Sequence, residues 1–503
     1  MGNIIARGLQ AAVLGLALLG SAGAKAPNIV FILADDLDAA AAAQMPLVKS
    51  LITDRGTTFL HHYVSLSLCC PSRSSTLRGQ FSHNTTIFKN DLPDGGFGAF
   101  YAKGLEASTA ATWLTDAGYR TALIGKYMNG YPEDGPSSSY IPPGWTEWMS
   151  PIAGTPYKGF NYTMNHNGTP VSFGNAEADY LTDVISNAAA DFIRRSVDQF
   201  PDKPFFLFLA PYAPHAPAIP APRHEHMFKN LKAPRGPSFN EKDVSDKPSW
   251  VQAQPMLTST QIEDMDKLYR KRRQSLLAVD EMLANVLNTL QAKGELDNTY
   301  IFFTSDNGFH QGQHRLDSGK MTAFEEDLLI PLSVRGPGVP VGQTINAITA
   351  NVDYASTFAE IAGASAPAFI DGRSLLPFLK GQTPSSWRAA LLLENKDGAA
   401  PALRDASSPL EPADPFEHRL GTRGDGPGID GFLGLRINDG TTYLEYVTGE
   451  RELYSNIHDA AQLRNGYALA SPVSRQRLAA WLASLKNASG AALREAELQA
   501  PTR

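Results

Sequence analysis

The chain of 503 residues contains two cysteines, and they are adjacent: Cys69 and Cys70 lie in the segment SLCCPSRSS, residues 67–75. Adjacent cysteines can close only a strained ring that cross-links no distant parts of a chain, so a stabilising disulfide is not their role. Two explanations remain from the residues alone. The thiols are either buried side chains without a chemical role, or one of them is a reactive group.

The residues that follow favour a helix that begins at the cysteines. Pro71 suits the first turn of a helix, and Gly79 suits its end. Cys69 would then lie at the helix N-terminus beside Arg73, where backbone N–H groups and a guanidinium group favour an anion. No general base or zinc-ligand spacing occurs nearby, so a catalytic thiolate or a zinc site is not indicated locally.

Polar residues also follow four continuous apolar runs, each typical of a strand buried on both faces. These runs are NIVFILA before Asp35 and Asp36, RTALIG before Lys126, FFLFLA before His215, and YIFFTS before Asp306 and Asn307. A single acid after a strand is usually a turn or capping residue, and a single lysine or histidine is usually a surface residue. Two acid-rich pairs are harder to explain in this way. Three carboxylates and an amide oxygen make a hard oxygen site that suits Ca²⁺ or Mg²⁺.

Helical segments lie between these strands, among them TAATWLTDAG and a long segment at residues 261–294. This alternation predicts an α/β fold with a large, mostly parallel or mixed sheet sandwiched by helices. Ligands bind such sheets outside the carboxyl ends of the strands. The predicted fold therefore brings the strand-end residues to one edge.

We expect a large catalytic domain at residues 25–383 and a smaller C-terminal α+β domain at residues 384–503, containing an antiparallel sheet. The segment LGLRINDGTTYLEYV predicts a hairpin that turns at Asp439 and Gly440. The segment SRQRLAAWLASLKNASG predicts a closing amphipathic helix. The Pro-rich connector at residues 211–258 is long for a compact domain, so we expect it in a pocket wall.

The N-terminus resembles a signal peptide at residues 1–24: Arg7 precedes the apolar run AAVLGLALLG, and small residues reach Ala24. This predicts an exported protein, periplasmic, secreted or lysosomal, with no membrane span after cleavage, because the run is short for a bilayer. The net charge of −7 gives no sign of a nucleic-acid partner.

The segment CCPSR fits the signature C-x-P-S-R, and the chain resembles the formylglycine-dependent sulfatase family of the alkaline-phosphatase-like superfamily. The resemblance extends over most of the chain in order, through LADDLD, GKYMNGY, APHAP, SDNGFHQGQHRLDSGK, VRGPGVP and DGRSLLPFLKG. Within the family, RKRRQSLLAVDEML and GELDNTYIFFTSDNGFH are most similar to the N-acetylglucosamine-6-sulfatase branch.

The resemblance implies that a maturation enzyme oxidises Cys69 to formylglycine, whereas Cys70 fills the variable position and is structural. The hydrated aldehyde is a geminal diol. One hydroxyl attacks sulfur, and the other then expels sulfate and regenerates the aldehyde.

The resemblance also implies a divalent cation, Ca²⁺ with Mg²⁺ as the alternative, which binds a sulfate oxygen and acidifies the diol. Its implied ligands are Asp35, Asp36, Asp306 and Asn307. Arg73 would orient the diol and balance its charge.

The implied sulfate-binding residues are Lys126 and Lys320, which would hold sulfate oxygens. His215, alone or with Lys320, would protonate the departing alkoxide, and it would also contact the substrate. Many sulfatases have a histidine two residues after the first lysine. Here that residue is Met128, which the N-acetylglucosamine-6-sulfatase branch tolerates.

Two further histidines, His310 and His314, follow the second metal segment. We interpret His310 as a substrate-binding residue, with a loop-packing role as the alternative for both.

The expected function is hydrolysis of sulfate esters, with 6-O-sulfate on N-acetylglucosamine-type sugars as the expected substrate. One alternative is a broad arylsulfatase, or a hydrolase of phosphonate monoesters or phosphodiesters. Another is a non-catalytic protein that binds sulfated glycans, which applies if Cys69 is not modified.

Overall fold

The computed structural model describes residues 25–395 and 428–500. The predicted signal peptide, residues 396–427 of the predicted C-terminal domain and residues 501–503 lie outside these ranges. Within the described ranges, no helix combines the length and the apolar character needed to cross a bilayer.

The strands, in chain order, are β1 (Asn28–Ala34), β2 (Thr57–Phe59), β3 (His62–Tyr63), β4 (Arg120–Gly125), β5 (Glu147–Gly154), β6 (Tyr162–His166), β7 (Thr169–Phe173), β8 (Phe205–Ala210), β9 (Thr299–Ser305), β10 (His310–Gln311), β11 (Ser318–Gly319), β12 (Leu332–Arg335), β13 (Gln343–Ile345), β14 (Thr349–Ala350), β15 (Ala390–Asn395), β16 (Phe432–Ile437), β17 (Thr441–Tyr446) and β18 (Arg451–Ser455).

The α-helices are α1 (Ala39–Ala42), α2 (Pro46–Leu51), α3 (Cys69–Arg78), α4 (Ser82–Thr85), α5 (Gly96–Ala102), α6 (Ala110–Asp116), α7 (Leu181–Gln199), α8 (Ser249–Gln252), α9 (Ser259–Ala292), α10 (Glu325–Leu328), α11 (Asp353–Ala362), α12 (Leu376–Leu379), α13 (Pro472–Leu485) and α14 (Gly490–Ala496). Short 3₁₀ helices cover Thr53–Arg55, Leu105–Ala107, Pro156–Lys158, Glu177–Asp179, Pro222–His224, Leu296–Asn298 and Tyr467–Leu469.

A ten-stranded mixed sheet in the order β13-β2-β12-β9-β1-β8-β4-β5-β6-β7 forms the centre of the fold. The five strands β9, β1, β8, β4 and β5 run parallel to one another. On the two flanks, β12 pairs antiparallel with β9, and β6 pairs antiparallel with β5. The predicted mostly parallel or mixed sheet is therefore confirmed.

Strand β1 shows why these apolar runs form central strands. Its residues are fully buried, and alternate side chains enter two different cores. Phe31 packs in one core with α11, whereas Val30 and Ile32 pack in the other with α7 and α9. A strand buried on both faces needs apolar residues at every position, so the run shows no alternation. The predicted bounds of β1, β4 and β8 match the structure, and β9 begins one residue earlier, at Thr299.

A second sheet, antiparallel and in the order β15-β16-β17-β18, contains the predicted hairpin with its turn at residues 438–440. The prediction of one closing helix through residue 490 is wrong at its end. Helix α13 ends at Leu485, and a separate helix, α14, begins at Gly490. Ser489 is extended, and the Gly490 N–H donates to Asp371 Oδ1 at 2.6 Å, so this turn is fixed by a tertiary contact. The boundary at residue 383 stays a prediction.

Candidate active site

Helix α3 places Cys69 at its first position. Leu68 precedes it in an extended conformation, and Gly79 ends the helix with a φ of 66°, a left-handed conformation that favours glycine. The backbone N–H of Cys70 donates to Asn90 Oδ1 at 2.8 Å, which satisfies one of the free donors of the helix start. The helix predicted from the residues after the cysteines is confirmed.

The two cysteine side chains lie in different surroundings, although both are fully buried. Cys70 packs in the hydrophobic core. Cys69 Sγ instead lies 3.3 Å from Asp35 Oδ1, 3.8 Å from Asp36 Oδ1 and 3.1 Å from Lys320 Nζ. Only Cys69 is therefore in a position to take part in chemistry at the strand ends.

The two acid-rich strand ends come together, as expected from the parallel pairing of β1 with β9. Asn307 Nδ2 donates to Asp36 Oδ1 at 2.7 Å, and the Asp36 backbone N–H donates to Asp306 Oδ1 at 3.1 Å. Asp36 has a φ of 63°, an uncommon conformation for a residue with a side chain. Such local strain often occurs at functional sites, where the surrounding structure maintains it.

Two lysines bind the first pair of acids. Lys126 Nζ lies 2.6 Å from Asp35 Oδ2, and Lys320 Nζ lies 2.8 Å from Asp36 Oδ1. Each of these four side chains is at most 1% exposed. Lys126 is the residue after β4 and Lys320 the residue after β11, so separate parts of the chain converge on this pair of carboxylates.

Arg73 and His215 complete the cluster. Arg73 Nε donates to Asp306 Oδ2 at 2.9 Å, and Arg73 Nη1 donates to the backbone oxygen of Lys126 at 2.9 Å. His215 Nε2 lies 3.5 Å from Asp36 Oδ2. The structure therefore brings together the predicted nucleophile, cations and acids at one edge of the sheet.

The positive charges of the cluster control the pKa of Asp35. Burial by itself would raise the pKa of Asp35, but the positive charges of Lys126, His215 and Arg73 outweigh burial and hold this pKa well below its usual range. Burial would likewise lower the pKa of Lys126, and the Asp35 carboxylate more than offsets it. Asp35 and Lys126 therefore form a charged pair inside the protein.

The neighbouring groups titrate differently. Burial, followed by the charge of Asp35, raises the pKa of Asp306 from 3.8 to about 6. The same two causes raise the pKa of the Cys69 thiol well above its usual range. The unmodified thiol is thus uncharged at neutral pH, which makes it a weak nucleophile.

The acids fit a hard divalent cation. Asp36 Oδ2 and Asn307 Oδ1 are buried oxygens without a hydrogen-bond partner in the part of the chain that the structure describes. Ligand atoms of Asp35, Asp36, Cys69 and His215 all lie within 4.8 Å of one another. Buried oxygens of this kind usually have a partner, and carboxylate and amide oxygens are the ligands that Ca²⁺ and Mg²⁺ prefer.

The two later histidines are each held by a carboxylate. His310 Nδ1 lies 2.8 Å from Asp327 Oδ1, and His310 Nε2 is buried without a hydrogen-bond partner among the described residues. His314 Nδ1 lies 2.7 Å from Glu241 Oε2, and its ring stacks on Phe324 at 3.8 Å between centroids. His314 Nε2 is likewise buried without a hydrogen-bond partner among these residues, so each ring keeps one nitrogen for another partner; the stacked ring favours a loop-packing role for His314.

Two tyrosines of the cluster were not identified from the sequence. The Tyr157 ring lies 4.7 Å from the His215 ring and 5.2 Å from Lys126 Nζ, and Tyr212 packs edge-on against it at 4.8 Å. Tyr212 belongs to the segment PYAPHAP, so its proximity to His215 could have been expected. No signal in the sequence marks Tyr157. Met128 is 2% exposed and packs in the hydrophobic core.

The Pro-rich connector takes part in a cleft, as its length suggested. Pro234 and Pro237 line a cleft of about 680 Å³ together with Asp38 and Phe309. Asp38 and Phe309 belong to the loops after β1 and β9, which also carry the acids of the cluster.

Comparisons with known proteins match this arrangement. The family model described as sulfatase covers residues 27–364. The N-acetylglucosamine-6-sulfatase of Homo sapiens is 38% identical over 382 residues, which are 74% of this chain and 68% of the human protein. The extracellular sulfatase SULF-1 homolog of Drosophila melanogaster is 37% identical over 394 residues, 77% of this chain but 35% of the fly protein.

A solved structure shows the same fold. The structure of BT4656 in complex with its substrate, D-glucosamine-2-N,6-O-disulfate, superposes with a TM-score of 0.70 and 25% identity, covering 91% of this chain and 97% of that one. The extent of the family match, the identity to N-acetylglucosamine-6-sulfatases and the shared fold lead to one conclusion. The chain belongs to the sulfatase family, whose members hydrolyse sulfate esters.

Proposed function

We propose that the protein hydrolyses the 6-O-sulfate ester of N-acetylglucosamine-type sugars at Cys69. The observation that carries this proposal is the convergence of buried cations on the surroundings of Cys69 Sγ. Lys320 Nζ lies 3.1 Å from this sulfur, and Lys126 is bound to the neighbouring Asp35. The relatives support the choice of N-acetylglucosamine as the sugar of the substrate, because two N-acetylglucosamine-6-sulfatases are 38% identical to this chain.

The nucleophile in this proposal is formylglycine, derived from Cys69 by a maturation enzyme, and its hydrated form supplies a hydroxyl that can attack sulfur. Cys69 lies at the start of α3 with its side chain directed to the acids and to Lys320. The remainder of the chain then has to orient this group and bind the sulfate. Arg73 serves orientation, because Asp306 and the Lys126 carbonyl oxygen fix its guanidinium group.

Sulfate binding falls to Lys126 and Lys320. Each ammonium is buried, so its charge acts in a medium of low dielectric constant and its geometry needs little reorganisation during the reaction. The Tyr157 ring lies 5.2 Å from Lys126 Nζ, close enough for a cation–π contact with this ammonium. His310 is proposed as a further substrate contact through Nε2, because Asp327 already holds its Nδ1.

Departure of the sugar requires a proton, since an alkoxide is a poor leaving group. His215 is the proposed donor, with Lys320 as a second source. The ring of His215 is held on both sides: Nδ1 lies 2.8 Å from the backbone oxygen of Ala216, and the ring packs against Tyr157. Nε2 faces Asp36 Oδ2 at 3.5 Å, so this nitrogen is directed toward the site.

Asp35, Asp36, Asp306 and Asn307 are the proposed ligands of one divalent cation, Ca²⁺ with Mg²⁺ as the alternative. A bound cation would supply a positive charge that attracts a sulfate oxygen and lowers the pKa of the nucleophile. The chain contributes fixed oxygens: β1 and β9 hold the two ligand pairs side by side, and the hydrogen bond from Asn307 to Asp36 sets their spacing.

We also propose export, to the periplasm, the exterior or the lysosome. The predicted signal peptide and the relative named extracellular sulfatase support this location. The catalytic domain at residues 25–383 and the C-terminal domain at residues 384–503 remain proposed divisions of the chain.

The test has two parts. Mass spectrometry of the peptide around Cys69, taken from native protein, should detect formylglycine. The values of kcat/KM should then be compared for N-acetylglucosamine-6-sulfate, a nitrophenyl sulfate and a phenyl phosphonate ester, and the sugar sulfate should give the highest value. A higher value for the phosphonate ester would support the alternative hydrolase. Unmodified Cys69 in a protein that binds sulfated glycans without turnover would support the non-catalytic alternative.

A further inference from the structure

The turn that carries Lys320 has an uncommon backbone conformation. Lys320 follows β11, and the next residue, Met321, has a φ of 79°. This left-handed region favours glycine, and a residue with a side chain occupies it only where contacts hold it there. Lys320 Nζ lies 3.1 Å from Cys69 Sγ and 2.8 Å from Asp36 Oδ1. The path of the chain at this lysine therefore depends on a conformation that methionine disfavours.

Two buried side chains hold the peptide groups on either side of Met321. Its backbone N–H donates to Ser67 Oγ at 3.1 Å, and its backbone oxygen accepts a hydrogen bond from Asn395 Nδ2 at 2.9 Å. Ser67 and Asn395 are 2% and 3% exposed, so these hydrogen bonds lie out of contact with bulk water. Both peptide groups are thus kept in the orientations that the left-handed conformation requires.

Asn395 reaches this turn from a distant part of the chain. It is the last residue of β15, and it pairs with β16 in the antiparallel C-terminal sheet. The preceding residue, Glu394, donates its backbone N–H to the backbone oxygen of Ser65 at 2.9 Å. Ser65 belongs to the segment that leads into Cys69. The end of β15 therefore contacts both the segment before Cys69 and the turn after Lys320.

We propose that Asn395 is a positioning residue of the reaction centre. By holding the Met321 carbonyl group, it maintains the turn that keeps Lys320 Nζ beside residue 69. The C-terminal sheet thus sets the geometry of a sulfate-binding lysine. The effect on turnover rests on the proposed function, because that function assigns sulfate binding to Lys320.

The first measurement examines the turn itself. In a crystal structure of Asn395→Leu protein, whose residue 395 cannot donate to the Met321 oxygen, residue 321 should leave the left-handed region. Lys320 Nζ should then lie beyond hydrogen-bond distance of the residue 69 side chain. The double variant Asn395→Leu, Met321→Gly should restore the position of Lys320, because glycine adopts positive φ freely. A Lys320 position that is unchanged in Asn395→Leu protein would overturn the inference.

The second measurement is kcat/KM for a nitrophenyl sulfate, with the formylglycine content determined for each protein. Asn395→Leu should lower kcat/KM about tenfold, because a methionine without this support disfavours the left-handed region. In Met321→Gly protein the same change should lower kcat/KM less than about threefold, since glycine has no such preference. Met321→Asn replaces the glycine variant if that variant does not fold, because asparagine also tolerates positive φ. Equal losses in both backgrounds, or no loss in the first, would contradict the positioning role.

Asn465→Leu is the matched control. Asn465 lies in the loop after β18, and its side-chain amide donates to the backbone oxygens of Asp246 and Arg451, each at 3.0 Å. Its replacement should lower the free energy of unfolding in urea and leave kcat/KM at the wild-type value. An equal fall in kcat/KM would show that activity only follows stability, which would overturn the inference. Wild-type protein without turnover of any sulfate ester would refute the proposed function, and the crystal structures would still decide whether Asn395 positions Lys320.

Discussion

Two buried clusters of charge, one at the strand ends and one beside the C-terminal sheet, differ in how their polar atoms are satisfied. Arg388, just before β15, is 2% exposed and forms three hydrogen bonds: two with Asp353, at 2.8 and 3.0 Å, and one with Glu497, at 2.8 Å. At the strand ends, by contrast, Asp36 Oδ2 and Asn307 Oδ1 have no hydrogen-bond partner within the described residues.

The difference separates a buried charge cluster that is paired within the protein from one that leaves oxygens without a hydrogen-bond partner. A buried charge is costly unless it is paired, and the Arg388 cluster meets this requirement with its own side chains. It joins the start of α11, the approach to β15 and the end of α14. The strand-end cluster is paired only in part, so Asp36 Oδ2 and Asn307 Oδ1 are available to a ligand. Both clusters are therefore equally buried, but only the strand-end cluster has oxygens that can accept a ligand.

The largest expected effect lies in the strand-end cluster. Cys69→Ala removes the proposed precursor of the nucleophile and should abolish turnover, because no unmodified side chain there supplies an equivalent. Cys70→Ala is the matched control, since this side chain packs in the core. It should keep turnover and cost about 1 kcal/mol of stability. The measurement is kcat/KM together with the formylglycine content. Equal loss of activity in folded, formylglycine-containing Cys70→Ala protein would overturn the assignment.

Metal removal should have the next largest effect. Elemental analysis of protein purified without chelator should find about one equivalent of Ca²⁺ or Mg²⁺. Asp36→Ala should lose this metal and about 10³-fold in kcat/KM, because several kcal/mol of charge stabilisation disappear. Asp54→Ala, at an exposed acid paired with Lys49, is the control and should retain both. Stoichiometric zinc, or full activity without metal, would contradict an oxygen-ligated site.

The proposed proton-donor role of His215 gives an effect that depends on the leaving group. His215→Ala should lower kcat/KM for a sugar sulfate by about 10²–10⁴-fold, the usual contribution of general acid catalysis. A nitrophenyl sulfate should lose much less, because its phenolate leaves without a proton. His226→Ala, at an exposed histidine of the same connector, should change neither. Equal losses for both esters would mean that His215 only binds sulfate, and Lys320 would become the better candidate.

Most of the strand-end cluster could be predicted from the sequence because local signals coincide with it. Apolar runs fix β1, β4 and β8, and parallel pairing then carries the residues after them to one edge. The signal that marks Cys69 is a short motif, which can be recognised in the sequence without knowledge of the fold.

What could not be predicted depends on contacts between distant parts of the chain. Tyr157 reaches His215 from a 3₁₀ helix that no motif marks. The pairing of Arg388 with Glu497 joins residues 109 positions apart, and neither lies in a distinctive local sequence. The end of α13 at Leu485 likewise depends on Asp371, which holds the Gly490 backbone from another part of the fold.

A change in the Arg388 cluster should lower the stability of the protein and leave its catalytic activity unchanged. Arg388→Met leaves the carboxylates of Asp353 and Glu497 buried without their main partner, which typically costs about 3–5 kcal/mol. Urea denaturation should show this loss, while kcat/KM under native conditions stays near the wild-type value. Arg194→Met, at an exposed arginine paired with Asp191, is the control and should change stability by less than about 1 kcal/mol. A large fall in kcat/KM of folded Arg388→Met protein would remove the distinction between the two clusters.

The smallest expected effect concerns Glu452 in β18, a fully buried carboxyl that accepts hydrogen bonds from the hydroxyls of Tyr446 and Tyr454. Burial raises its pKa from 4.5 to about 7, although the tyrosines and Lys247 act in the opposite direction. Between pH 4.5 and 7 the folded protein thus retains a proton that the unfolded chain has lost. The stability that this carboxyl contributes is complete below pH 4.5 and is lost as the pH rises through 7.

Glu452→Gln removes this titration and keeps a neutral side chain of the same shape. The free energy of unfolding of wild type should therefore fall relative to the variant between pH 4.5 and 8, by up to about 3 kcal/mol for a shift of this size. Urea denaturation of both proteins at several pH values gives the difference directly, and other titrating groups cancel in it. Parallel pH profiles would show that Glu452 titrates normally. In that case, buried carboxyls of the C-terminal sheet would be as well compensated as Arg388, and the contrast with the strand ends would be sharper.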